Sequence, residues 1–205
     1  MIAFKNSRGM TLIEVLVAMT ILGILGLGIV SLQYVLGKNQ VLVINSYKSL
    51  DEANVSVTTF IKEIRAAKMS DNGAYLFDTL NDSEIKFYSD IDLDGVTEKV
   101  RYSLSGTNFI KGVIEPTGYP FTYLPANEVQ TTLTTNVRNG TSPVFYYYNS
   151  DWPEDVTNNP LAAANRLSDT RIIKIYLIVN TLTNDPNKNY ELESFGQIRM
   201  LKDNL

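Results

Sequence analysis

The fold is decided by residues 8–37, which read RGMTLIEVLVAMTILGILGLGIVSLQYVLG. Of the 29 residues between Arg8 and Lys38, only Glu14 carries a charge. An apolar stretch longer than about 18 residues predicts a membrane-spanning helix. A carboxylate in such a helix costs about 2.5–3.5 kcal/mol at its centre and less near an end. We therefore expect Glu14 to have a function that offsets this cost.

Composition excludes several classes of protein. The chain of 205 residues has a net charge of −4 and contains neither cysteine nor histidine. The absence of cysteine excludes disulfides and thiolate zinc sites, and the absence of histidine excludes Ser-His-Asp and Cys-His catalysis. The charge balance gives no basic surface for nucleic acid. The sequence therefore predicts neither an enzyme nor a nucleic-acid-binding protein.

The N-terminus differs from an ordinary secretory signal. A secretory signal places its small-residue cleavage site after the apolar run. Here the small residue, Gly9, precedes that run. Cleavage after Gly9 would remove a basic leader and leave the apolar segment on a chain that begins at Met10.

These residues closely resemble the prepilin processing motif of type IV pilins and type II secretion pseudopilins. The matching features are a short leader with Lys5 and Arg8, then Gly9, the sequence Thr-Leu-Ile-Glu at 11–14, and a long apolar helix. Met10 stands where phenylalanine is commonest in the family. The resemblance implies an α+β fold, in which a long N-terminal helix, transmembrane in its first half, packs on an antiparallel β-sheet head.

The resemblance also implies roles for three residues. A prepilin peptidase would cut between Gly9 and Met10 and N-methylate Met10. Glu14 would take part in assembly, through attraction to the N-terminal amine of a neighbouring subunit, because a carboxylate in low dielectric needs a partner. The alternative is that Glu14 only marks the polar edge of the membrane. Further implied partners are other pilin or pseudopilin subunits and an inner-membrane assembly platform.

A helix is predicted from about Thr11 to Lys68. Apolar residues recur at helical spacing after Lys38, and no proline occurs before Pro116. The predicted stripe contains Val43, Tyr47, Leu50, Ala53, Val57, Phe60, Ile61, Ile64 and Ala67. The predicted regions are a leader (1–9), a transmembrane and assembly half (10–37), an amphipathic half (38–68) and a head (69–205). Glycines at 23, 26 and 28 favour either close helix packing or local unwinding.

The head shows β-strand patterns separated by turn residues. Predicted strands cover residues 84–89, 98–105, 108–114, 144–148, 171–181 and 190–201. Residues 69–83 and 117–138 are predicted to be irregular, and residues 161–166 a helical turn. In Tyr146-Tyr147-Tyr148, alternation predicts that some rings are buried and the middle ring is exposed. The alternatives are core packing and a binding surface.

The segment Asp90-Ile91-Asp92-Leu93-Asp94-Gly95 resembles the start of an EF-hand calcium loop. Position twelve of such a loop is Arg101 rather than glutamate, and the flanking segments read as strands. Two interpretations remain. One is a solvated turn. The other is a calcium site formed by Asp90, Asp92 and Asp94, with Glu98 as a further ligand.

The sequence thus predicts a structural subunit of a pilus or pseudopilus. We expect it to be a minor subunit that lies at the tip or primes assembly. Its head most resembles J-type minor pseudopilins and W-type minor pilins. The two basic leader residues predict that the leader is cytoplasmic and the head lies outside the inner membrane. The alternative function is a single-pass, membrane-anchored binding protein that does not polymerise.

Overall fold

The computed structural model describes residues 9–182 and 185–201. Leader residues 1–8, including Lys5 and Arg8, therefore lie outside the described residues. Residues 183–184 lie outside them as well. The chain divides into two compact units, residues 1–45 and residues 46–205. Each unit is described separately below.

The described part of the first unit consists mainly of the start of one long helix. Helix α1 spans Leu12–Arg65, which confirms the predicted helix to within three residues at each end. Every residue from Gly9 to Asn45 is exposed, and Leu27, for example, is 72% exposed. From Leu12 to Gly37 the helix is apolar on all sides, so no face of this segment is distinguished as a core face.

The second unit contains the rest of α1, which is amphipathic. Its buried residues are Ser49, Ala53, Ser56, Val57, Phe60 and Ile64. The prediction was wrong for Val43 and Tyr47, which are 67% and 73% exposed. Their helical spacing is correct, but burial on the head begins only at Ser49, where the Thr134 hydroxyl donates to the Ser49 carbonyl at 3.4 Å.

The first sheet is an antiparallel meander of five strands in chain order. The strands are β1 (Phe77–Leu80), β2 (Glu84–Ser89), β3 (Glu98–Ser105), β4 (Asn108–Ile114) and β5 (Val129–Thr134). Strands β2, β3 and β4 have the predicted bounds. Strands β1 and β5 lie in segments that were predicted to be irregular, so those two predictions were wrong. A 3-10 turn, Pro125–Asn127, directly precedes β5.

The second sheet has three antiparallel strands in the order β6, β7, β8. They are β6 (Phe145–Tyr148), β7 (Ile172–Val179) and β8 (Tyr190–Gln197), each inside its predicted segment. A 3-10 turn, Ala163–Asn165, and the short helix α2 (Arg166–Asp169) connect β6 to β7. The predicted helical turn is therefore confirmed.

The core of the second unit lies where α1 meets both sheets. The ring of Phe60, which is fully buried, lies 5.1 Å from that of Tyr102 in β3 and 5.3 Å from that of Phe145 in β6. Gly196 in β8 packs against the same helix face, since a Cβ there would lie 2.8 Å from Ile64 Cγ2. This packing confirms the predicted α+β class: a long helix on antiparallel sheets.

Candidate functional site

The predicted cleavage site lies just before α1. Gly9 and Met10 precede the first helical residue, Leu12, and both are exposed. Met10 is 76% exposed. A side chain at Gly9 would meet no atom within 4 Å. The peptide bond between Gly9 and Met10 is therefore accessible in the isolated chain, as a processing site requires.

Thr11 and Glu14 form a capping box at the start of α1. The Thr11 backbone N–H donates to Glu14 Oε2 at 2.9 Å, and the Glu14 N–H donates to Thr11 Oγ1 at 3.4 Å. The Thr11 hydroxyl also donates to Glu14 Oε2, at 3.1 Å. Two backbone donors at the helix start are thus satisfied reciprocally. Sequence reasoning missed this role, although Thr-x-x-Glu before an apolar run is its signal.

Glu14 also lies on an otherwise apolar face of the helix. Met10, Val17, Ala18 and Ile21 line a shallow groove together with it. Among the described residues, no lysine or arginine forms an ion pair with Glu14. Its carboxylate thus accepts hydrogen bonds from Thr11 but has no counter-charge in the part of the chain that the structure describes.

The helix that follows is long and apolar enough to cross a membrane. An 18-residue window within it has a mean hydropathy of 2.6, and none of that window is buried. Side chains added at Gly23, Gly26 or Gly28 would meet nothing within 4 Å. The small residues therefore leave this surface open to close approach by another helix.

The acidic turn connects β2 to β3. One carboxylate oxygen from each of Asp90, Asp92 and Glu98 lies within 4.8 Å of the others. Asp94 lies outside this group, and its Oδ1 accepts the Val96 N–H at 2.7 Å. The structure thus brings three of the four predicted calcium ligands together, while Asp94 holds the turn. Bound calcium stays a prediction.

Glu98 is the most unusual member of this group, because it is a carboxylate with no exposed surface. Its Oε2 accepts the Ile91 N–H at 2.7 Å. Burial raises the pKa of Glu98, and the nearby negative charges of Glu115 and Asp92 raise that pKa further. Asp90 is better compensated, since Lys68 Nζ lies 3.3 Å from its Oδ2.

The tyrosine run on β6 belongs to the core. Tyr147, the middle ring, is fully buried, and its hydroxyl donates to the Asn81 carbonyl at 2.6 Å. The prediction that this ring is exposed was therefore wrong, because its partner across the sheet is the buried Ile173. Tyr148 is also buried, with its ring 4.5 Å from that of Trp152. Tyr146 is half-buried.

Sequence reasoning also missed a polar group between α1 and the first sheet. Glu63 on α1 accepts a hydrogen bond from the Tyr102 hydroxyl at 2.7 Å and forms an ion pair with Lys111. Burial raises the pKa of Tyr102, and the negative charge of Glu63 adds to this effect. The three residues lie far apart in sequence, so no local pattern could have shown their contact.

Comparison with known proteins gives a match at the N-terminus. The family described as the prokaryotic N-terminal methylation motif matches residues 4–30. No curated protein matches the chain. The matched family is structural rather than enzymatic, and its motif implies processing by prepilin peptidase and assembly of pilin subunits. With its long apolar helix, the chain therefore carries the signature of type IV pilins and pseudopilins, which is consistent with a membrane-anchored, single-pass protein.

Proposed function

We propose that this chain is a minor pilin or pseudopilin, a structural subunit that enters a type IV pilus or type II secretion pseudopilus after proteolytic processing. The observation that carries the proposal is the methylation motif at residues 4–30. That motif leads into a helix whose apolar surface is wholly exposed from Leu12 to Asn45. An exposed apolar surface of this extent marks contact with membrane or protein.

In this proposal, prepilin peptidase cleaves between Gly9 and Met10 and methylates the new amine of Met10. Both residues are exposed and lie outside the helix, which supports access by a protease. The leader, with its basic residues, stays on the cytoplasmic side of the inner membrane, and the head faces the outer side. The assembly platform in that membrane then moves the subunit into the filament.

Glu14 is the proposed assembly residue. Its carboxylate has no cation partner among the described residues, and in the membrane it would lie in low dielectric. The amine of a neighbouring subunit's Met10 would supply the missing positive charge. Because this pairing needs a free amine, it becomes available only after cleavage.

A minor, tip-associated or priming role is the finer part of the proposal. The head has two sheets with long connections between strands, including the stretch between Tyr148 and Ile172 that links β6 to β7 within the second sheet. Connections of this kind on a rigid scaffold commonly carry specificity. This feature supports a specialised subunit related to J-type pseudopilins or W-type pilins.

The test is the N-terminal peptide mass of the protein recovered from cells. In the wild type we expect a peptide that begins with N-methylated Met10. Gly9→Val should keep the leader and leave the chain unassembled, because the protease requires a small residue there. Gly37→Val is the matched control: a side chain at Gly37 also meets nothing within 4 Å, and processing should be normal.

An intact leader on the wild-type chain would contradict the proposal. The proposal would also be contradicted if Gly9→Val and Gly37→Val were processed and assembled to the same extent. Either result would instead favour a permanently anchored binding protein.

A further inference from the structure

We propose that the loop between β2 and β3 binds a calcium ion through the carboxylates of Asp90, Asp92 and Glu98. Oxygen atoms from these three side chains lie within 4.8 Å of one another. The strands on either side fix the two ends of the loop, since Ser89 of β2 pairs with Glu98 of β3. The loop residues are thus held where one cation can reach all three carboxylates.

The buried carboxylate of Glu98 indicates a ligand. Its side chain has no exposed surface, and Oε1 has no hydrogen-bond donor in the described part of the chain. The Oδ1 atom of Asp90 is also buried without a donor, while its Oδ2 binds Lys68. Buried charged oxygens without partners are costly, and a cation between them removes that cost.

The surrounding charge favours a divalent ion. Asp94 and Glu115 add negative charge near the three carboxylates. Burial raises the pKa of Glu115, and the negative charges of Asp92 and Asp94 raise it further. Lys68, which pairs with Asp90, is the one cation among the described residues that forms an ion pair with any of these three carboxylates. A single ammonium group therefore faces several carboxylates, and two further positive charges would bring the region closer to balance.

Calcium fits this loop better than magnesium. Ca²⁺ accepts six to eight oxygen ligands in flexible geometry, whereas Mg²⁺ requires a near-ideal octahedron. Three carboxylates from an irregular loop, completed by loop carbonyls or water, suit the flexible ion. Calcium sites in extracellular modules have dissociation constants of about 10⁻⁴–10⁻³ M. We expect the same range here.

The chain offers a matched pair of variants. Asp92 Oδ1 accepts the Asp94 N–H at 3.1 Å, and Asp94 Oδ1 accepts the Val96 N–H at 2.7 Å. Asparagine keeps an acceptor oxygen at either position, so Asp92→Asn and Asp94→Asn each remove one charge and preserve the turn. Both side chains are exposed, so both variants should fold. Only Asp92→Asn removes a proposed ligand.

The experiment is calorimetric titration of chelator-treated, full-length protein in detergent with calcium chloride. We expect one ion per wild-type chain, an affinity loss of about tenfold or more in Asp92→Asn, and a loss below about threefold in Asp94→Asn. Calcium should also raise the melting temperature of wild type and Asp94→Asn, with a much smaller effect in Asp92→Asn. Glu98→Gln should lose binding as well.

Two results would overturn the proposal. One is the absence of wild-type binding up to about 10 mM calcium, tenfold above the weak limit for extracellular modules. The other is an equal loss of calcium affinity in Asp92→Asn and Asp94→Asn, which would indicate diffuse attraction of cations to an acidic surface. Because the assay uses purified protein, its outcome is independent of whether the chain assembles.

Discussion

The two halves of helix α1 have the same secondary structure but differ in how their side chains are packed. From Leu12 to Gly37 the helix is apolar on every side, and every residue from Leu12 to Asn45 is exposed. From Ser46 to Arg65 it is one-sided and buries residues such as Phe60 and Ile64 in a core formed with two sheets. A one-sided helix completes its packing within its own chain. A helix that is apolar all round needs a membrane or other subunits.

Glycines show the same difference in atomic detail. Gly23, in the first half of α1, has nothing within 4 Å of the place where a Cβ would lie. Gly196, in β8, has Ile64 Cγ2 at 2.8 Å and Ile61 Cδ1 at 3.3 Å from that place. The same added methyl group would therefore meet open space in one region and a filled core in the other.

The first prediction compares the effects of adding this methyl group at Gly196 and at Gly23. Gly196→Ala should lower the free energy of unfolding of the head by about 1–3 kcal/mol, because the helix side chains must shift. Gly23→Ala should leave the unfolding of the head unchanged, while raising local helix stability by up to about 1 kcal/mol. Guanidinium unfolding of the full-length protein in detergent, followed by Trp152 fluorescence, measures both. Equal effects would remove the distinction between the two regions.

The second prediction concerns an ion pair in the head, between Arg101 and Glu128. Arg101 Nε donates to Glu128 Oε1 at 2.6 Å, and Arg101 Nη2 donates to Oε2 at 2.9 Å. Gly112 leaves room for this pair, because a Cβ there would clash with the Glu128 carboxylate. Hydrogen bonding to Arg101 lowers the pKa of Glu128.

Because this pKa is lower in the folded state, the pair stabilises the head fully only above the unfolded value of about 4.3. That contribution is lost as the pH falls through the lowered, folded pKa. Glu128→Gln should therefore cost about 1–2 kcal/mol at pH 7, and the difference from wild type should shrink below about pH 4. Thermal unfolding across this pH range measures the difference. Glu154→Gln, at an exposed site, is the control and should show no such trend.

Much of the architecture was predictable because strong local patterns specify it. The apolar run predicted α1, and alternation predicted the bounds of β2, β3 and β4. Strand β1 has only four residues, too few to show a period. Strand β5 is mostly exposed and contains three threonines, and it directly follows a proline-containing turn. The edge position of β5 accounts for its polar composition.

Contacts between distant residues could not be predicted in the same way. The burial of Tyr147 depends on pairing with Ile173 and on the carbonyl of Asn81, and a four-residue strand does not reveal which face is inside. Helical spacing placed Tyr47 in the stripe, but it does not tell where the head begins to cover the helix. At the N-terminus, prediction did not depend on contacts between distant residues. The candidate processing site was predictable because its signal is a short contiguous sequence, Gly-Met-Thr-Leu-Ile-Glu. The capping box of Thr11 and Glu14 lies in the same sequence but was overlooked.

We propose that the charge of Glu14 serves assembly, whereas its hydrogen bonds cap the start of the helix. Glu14→Gln separates these roles, because glutamine also serves in a capping box. Glu52→Gln is the control, since it removes a charge from the other half of α1.

The measurement is the amount of processed subunit in filaments sheared from cells. We predict that Glu14→Gln is cleaved after Gly9 and retained in the membrane but is missing from filaments, while Glu52→Gln assembles normally. Assembly of Glu14→Gln at the wild-type level would contradict the claim.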